Sequence, residues 1–174
     1  MPVYLSENFI EFPHGDLTAH RLDFRIESHV FVVIFAEVIT SDPAYHDYRS
    51  SEVGFTIPQG SYDVKFDRLE NFESGDFYAP PPRERRSGKL SFSAELAEAL
   101  ETIIKLHCDT YRARAYFAVA ETAKLKRFYD RILQPPRHHV AYKIITGLGE
   151  GGSGYALKTR YFCHSKNDAD RAQS

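Results

Sequence analysis

Along the first seventy residues, polar and apolar side chains follow one another in short runs. Arg21-Leu-Asp-Phe-Arg-Ile-Glu27 alternates strictly, the period of a strand with one buried face. Val30-Phe-Val-Val-Ile-Phe-Ala-Glu-Val-Ile39 is almost continuously apolar and rich in β-branched residues, which predicts a strand buried on both faces. Asp42-Pro43 and its neighbours break that run. Val53-Gly-Phe-Thr-Ile57 and Tyr62-Asp-Val-Lys-Phe-Asp67 flank the turn signal Pro58-Gln-Gly60 and predict two further strands. Residues 70–89, with Ser74-Gly75, three prolines at 80–82 and the basic run Arg83 to Lys89, read as a loop, and Leu90-Ser-Phe92 as a short strand after it.

From Ser93 the period changes. Leu96, Leu100, Ile103, Ile104 and His107 fall on one face of a helix. Ser93 is the expected N-cap, with Glu95 and Glu98 in the first turns complementing the helix dipole. Arg114 to Ala120 predicts a strand. Leu125, Phe128, Tyr129, Ile132 and Leu133 mark a second helix, stopped by Pro135-Pro136. Val140 to Ile145 and Tyr155 to Phe162 predict two strands about a glycine-rich loop. The order is several antiparallel strands, then strand–helix–strand–helix–strand–strand. It implies an α+β fold with a mixed, mainly antiparallel sheet and two helices in the C-terminal half. Right-handed crossovers put both helices against one sheet. The expected organisation is a single domain over 1–164 and a polar, disordered tail over 165–174.

Composition narrows the class. The 174 residues are 43% hydrophobic and 14% aromatic, with 13 Phe and 11 Tyr, ample for a packed core. No secretory signal is read at the start, and the longest wholly apolar run, Val30 to Ala36, falls far short of the ~20 residues that span a bilayer. Two cysteines, Cys108 and Cys163, are too few for a disulfide framework. The expectation is a cytoplasmic protein with no membrane partner.

The second half carries a resemblance. Glu121-Thr-Ala-Lys-Leu-Lys-Arg-Phe-Tyr-Asp-Arg-Ile-Leu133 resembles the Asn-x-x-Ala-x-x-Phe-Tyr helix of the Gcn5-related N-acetyltransferases (GNAT), and the strand–helix order over residues 85–163 is similar to the C-terminal half of that fold. The resemblance implies acetyl-CoA as cofactor, its pantetheine beside this helix, and Tyr129 as general acid. It also implies a pyrophosphate loop ahead of the first helix, and Arg85-Arg-Ser-Gly88-Lys-Leu90 matches only the first half of that motif. Leu90 stands where a small residue lets backbone N–H groups approach the phosphates. The chain is equally similar to bacterial families with a GNAT-like half and no acetyl-CoA loop.

Three other patterns could carry chemistry. Gly147-Leu-Gly-Glu-Gly-Gly152 satisfies the dinucleotide fingerprint but is followed by a strand pattern rather than a helix, and reads as a hairpin loop. Arg83, Arg85, Arg86, Ser87, Gly88 and Lys89 could bind phosphate, their charges set beside loop amides. A hairpin centred near Glu150–Gly151 puts His138 opposite Cys163 and His139 opposite Phe162, with His164 adjacent. The end of the first helix brings His107 and Cys108 toward the same edge. These six are candidates for zinc, although their spacing lacks the usual Cys-x2-Cys order and no metal is expected.

Charge changes the picture once more. Residues 1–79 hold 14 Asp+Glu against 5 Lys+Arg, a balance of −9. Residues 80–174 hold 10 against 17, or +7, and the two sum to the net −2. A split of this size suits recognition of partners. Three readings follow: a non-catalytic interaction or regulatory module whose partner is another protein, an acetyl-CoA-dependent acyltransferase, and a nucleic-acid binder acting through residues 80–137.

Overall fold

The computed structural model describes residues 1–133 and 141–162, with the side chains of 141 and 142 excepted. The molecule is α+β, built on one eight-stranded mixed sheet, mostly antiparallel. Strands β3 (Leu17–Ile26) and β4 (His29–Glu37) form its central hairpin, with Leu22 opposite Val33 and Phe24 opposite Phe31. The alternation of 21–27 buries Leu22, Phe24 and Ile26 on one face. In β4 both Val32 and Val33 are buried, as the apolar run predicts.

Strand β5 (Ser61–Arg68) pairs antiparallel with β4, and β6 (Ala115–Val119) pairs parallel with β5. The hairpin of β7 (Ala141–Leu148) and β8 (Gly154–Thr159) completes that side, with Lys143 opposite Lys158 as its predicted centre requires. Short strands β1 (Val3–Tyr4) and β2 (Ile10–His14) share the outer edge of β3. They lie ahead of the first periodic segment, and their exposed, irregular sequence carries no strand signal.

Two helices of the C-terminal half, α3 (Phe92–Tyr111) and α4 (Ala123–Ile132), follow β5 and β6 and pack on one face of the sheet. Leu96, Leu100 and Ile103 from α3 and Tyr129 from α4 join Leu22, Phe24, Val33 and Phe66 in a single core. A smaller cluster of Val38, Val53, Ile57, Phe117 and Phe162 fills the other face under α1 (Pro43–Val53).

Five local expectations are corrected. Residues 43–53 are helix, not an interruption: Asp42 caps the first turn by accepting from the Tyr45 N–H, Pro43 stands in the first turn, and Gly54 ends the helix at φ 77°. The Asp-Pro pair thus starts a helix rather than only ending a strand. Val53–Ile57 is consequently the end of α1 and a coil, so one strand, not two, surrounds Pro58–Gly60. The 70–89 loop contains a short helix, α2 (Leu69–Ser74), and a single 3-10 turn at Arg83–Arg85. Leu90–Phe92 forms no strand. Helix α3 begins at Phe92, Ser93 lies inside it, and Ser91 holds the cap position without a side-chain bond.

Candidate functional site

Strands β5 and β6 run side by side for three residue pairs only, Ser61 with Ala115 to Asp63 with Phe117. Beyond that point β6 follows β8, and Val64–Arg68 of β5 continues without a β6 partner. The parting is fixed at its root. Arg49 on α1 donates two hydrogen bonds to the Asp63 carboxylate, at 2.9 and 2.6 Å, and lies 5.9 Å from the Phe117 ring centre. The wedge opens at the carboxyl ends of two parallel strands, where open sheets with helical crossovers commonly take ligands.

Side chains of the protein itself occupy the neighbourhood of that wedge. Phe66 of β5 meets Phe128 and Tyr129 of α4 at 6.1 Å each, and Tyr129 meets Tyr155 of β8 edge-on at 5.2 Å. The Tyr155 hydroxyl donates to Asp130 at 2.5 Å, and Lys126 pairs with the same carboxylate. Tyr129 is buried. Burial, then the neighbouring Tyr78, Tyr155 and Glu121, push its phenol well above the usual tyrosine value. The group that the resemblance nominates as an acid therefore keeps its proton firmly at neutral pH.

A strap formed by residues 75–82 returns from α2 to the end of β5. The Tyr78 N–H donates to one oxygen of Asp67 at 2.5 Å. Arg68 and Asn71 both donate to the Ala79 carbonyl, at 2.6 and 3.1 Å. Asn71 also donates to the other Asp67 oxygen at 2.8 Å, and Arg68 pairs with Glu70. Asp67, Arg68 and Asn71 are all buried, so this latch is a desolvated polar network that gains strength from its surroundings. Tyr78 adopts φ 61° and is half-buried, while its neighbour Phe77 is largely exposed and meets Phe72 of α2 edge-on at 5.6 Å. Burial raises the pKa of the Tyr78 phenol, and the carboxylates of Glu121, just past β6, and Asp67 raise it further.

The basic loop lies exposed ahead of α3. Arg85 faces Glu70 at 3.6 Å, Lys89 faces Glu27 at 3.8 Å, and Arg86 donates to the Pro81 carbonyl. Ser87 accepts from the Lys89 N–H. Arg83 and Gly88 are exposed, and the Leu90 side chain stands fully in solvent. The structure thus directs three of the four predicted cationic phosphate ligands to carboxylates and a carbonyl of the same chain.

A second polar constellation lies in the middle of the main core. His107 of α3 bonds through Nε2 to Nδ1 of His20 on β3, and through Nδ1 to the Tyr116 hydroxyl on β6, each at 2.8 Å. Phe35 stacks on His107 at 3.9 Å, and Tyr111 stacks on His20 at 3.7 Å. Burial drives the pKa of His107 down to about 2, with His20 adding a smaller push, and burial lowers that of His20 despite the nearby Glu11. With both rings neutral, His107 donates through one ring nitrogen and accepts through the other, so both bonds are satisfied when their protons point the same way along the chain.

Of the zinc candidates, His138, His139, Cys163 and His164 lie outside the described residues. His107 has both nitrogens engaged, and Cys108 is buried with its thiol directed to the Ala113 carbonyl at 3.8 Å. Among the described residues no group of three metal-ligating side chains comes together. Gly147–Gly152 runs from the end of β7 into the turn of the hairpin, with positive φ at Gly147, Gly149 and Gly152.

Sequence reasoning missed both networks. His20 had a signal, because it takes an apolar position in the alternation it shares with Leu22, Phe24 and Ile26. Nothing in the sequence marks Asp67, Arg68 and Asn71 as a latch. No family model, no curated protein and no solved structure matches the chain.

Proposed function

We propose that this chain is a non-catalytic recognition module that binds another protein. One observation carries the reading. A groove of about 510 Å3 lies between β1, β3 and α3, lined by Tyr4, Leu5, Ser6, Glu7, Leu22 and Leu106. Tyr4, Leu5 and Leu106 are exposed large hydrophobic residues, with Val3 and Ile10 nearby on β1 and β2. Exposed apolar surface grouped about a concavity is characteristic of a protein-binding site. In the same groove wall the Ser6 hydroxyl is buried without a hydrogen-bond partner among the described residues. Such a group is satisfied when a partner supplies a donor or acceptor.

The parted strands favour a second reading, an acetyl-CoA-dependent acyltransferase with Tyr129 as acid. Against it stand the packing of Phe128 and Tyr129 on Phe66 beside the wedge and the internal pairing of Arg85 and Lys89. Titration calorimetry with acetyl-CoA separates the two. The module gives no saturable heat, whereas a dissociation constant of ~1–10 µM, worth roughly 7–8 kcal/mol, overturns it in favour of the enzyme. Chemical crosslinking in the source cell supplies the positive arm. Wild-type protein crosslinks to a partner through residues around the groove, and a Leu5→Glu, Leu106→Glu variant does not.

A further inference from the structure

Strap 75–82 is held as a ligand is held. Its backbone is gripped at two successive residues, the Tyr78 N–H by Asp67 and the Ala79 carbonyl by Arg68 and Asn71. Its half-buried aromatic residue, Tyr78, is fixed against Asp67 at the end of β5, the strand that has already parted from β6. The grip is polar and uses three buried side chains of β5 and α2, while the strap contributes backbone groups, the half-buried Tyr78 and the largely exposed Phe77 ring, which meets Phe72 of α2 edge-on at 5.6 Å. Nothing covalent beyond chain connectivity makes this occupant intramolecular. Tyr78 also pays for its position with a left-handed φ, a conformation that costs a non-glycine residue about 1 kcal/mol or more. A segment reaching the same grip without that turn starts with an advantage. The Asp67 carboxylate accepts from neutral donors, the N–H groups of Arg68, Asn71 and Tyr78, while the Arg68 guanidinium is paired with Glu70, so the grip keeps a negative charge that favours an occupant bearing positive charge.

We propose that the strap is an autoinhibitory contact. Tyr78 and Ala79 occupy in cis a slot that takes, in trans, an extended partner segment with a tyrosine followed by a small residue and a flanking basic residue. The proposal rests on the module reading and names its partner chemistry at a surface distinct from the N-terminal groove. Its failure leaves the groove and the calorimetric result untouched.

The test replaces residues 75–82 in the full chain by a glycine–serine linker of equal length and adds a fluorescently labelled peptide. The peptide has the strap sequence Gly-Asp-Phe-Tyr-Ala-Pro-Pro-Pro extended by two lysines. Fluorescence anisotropy is expected to give saturable binding to the replaced chain, at least tenfold weaker binding when the peptide tyrosine is alanine, and at least tenfold weaker binding to the wild type. A folded replaced chain that ignores the peptide, or binds it equally well without its tyrosine, overturns the proposal. Should the replaced chain not fold, the Asn71→Ala variant decides. Chymotrypsin cleavage at Phe77 and Tyr78 is expected to quicken at least tenfold relative to wild type while the thermal transition persists, and an unchanged cleavage rate overturns the proposal.

Discussion

The two buried polar networks of this protein are built on opposite plans. The chain from Tyr116 through His107 to His20 is neutral, stacked between aromatic rings, and drawn from three elements of the main core. The latch of Asp67, Arg68 and Asn71 is charged, comes from one strand end and the helix after it, and spends its bonds on the backbone of a neighbouring connection. The first network ties together α3, β3 and β6, so losing it unfits the fold. The second fixes one strap against an assembled sheet, so losing it frees the strap and leaves the sheet standing. Burial alone does not assign a polar network to stability; what its last hydrogen bond reaches does.

The sharpest way to break that contrast is His107→Ala. It opens a cavity under Phe35 and strands two buried polar partners, and is expected to cost about 3–5 kcal/mol in urea unfolding. Leu100→Ala supplies the apolar yardstick from the same helix at about 3 kcal/mol; if it costs far more than His107→Ala, the histidine is not a keystone. Acid gives a third measure. The folded-state pKa of His107 lies at about 2, below its unfolded value near 6.5. Its stabilisation is therefore complete above pH 6.5 and is lost as pH falls from 6.5 toward 2, at about 1.4 kcal/mol per pH unit. Unfolding free energies at pH 7 and pH 5 should differ by about 2 kcal/mol from this group alone, and His107→Leu should flatten the slope. The smallest effect belongs to the latch. Asn71→Ala is expected to cost about 1 kcal/mol of global stability with an unchanged urea dependence.

Legibility followed the same division. Strands β3 and β4 and the buried face of α3 could be read because their apolar period matches what they bury. The hairpin register of β7 and β8 followed from its glycines. Helix α1 was missed because its sequence is polar along most of its length and only Val53 is buried; its signal was the cap pair Asp42-Pro43, read instead as a breaker. Helix α2 is six residues long, too short for a period to appear. Both buried networks depend on residues apart in sequence meeting: His20 and His107 are 87 positions apart, and Asp67 accepts from the Tyr78 N–H 11 positions on. No local pattern encodes that meeting.

The distinction between a fixed core and a releasable strap is tested most directly by native-state hydrogen exchange along a series of low urea concentrations. The amide of Tyr78, bonded to Asp67, is compared with that of Val33 in β4. Exchange at Tyr78 is expected to proceed by local opening, at least a hundredfold faster than at Val33 and nearly independent of urea, while exchange at Val33 follows global unfolding. If the two amides exchange with the same free energy and the same urea dependence, the strap is part of the core and the account is wrong.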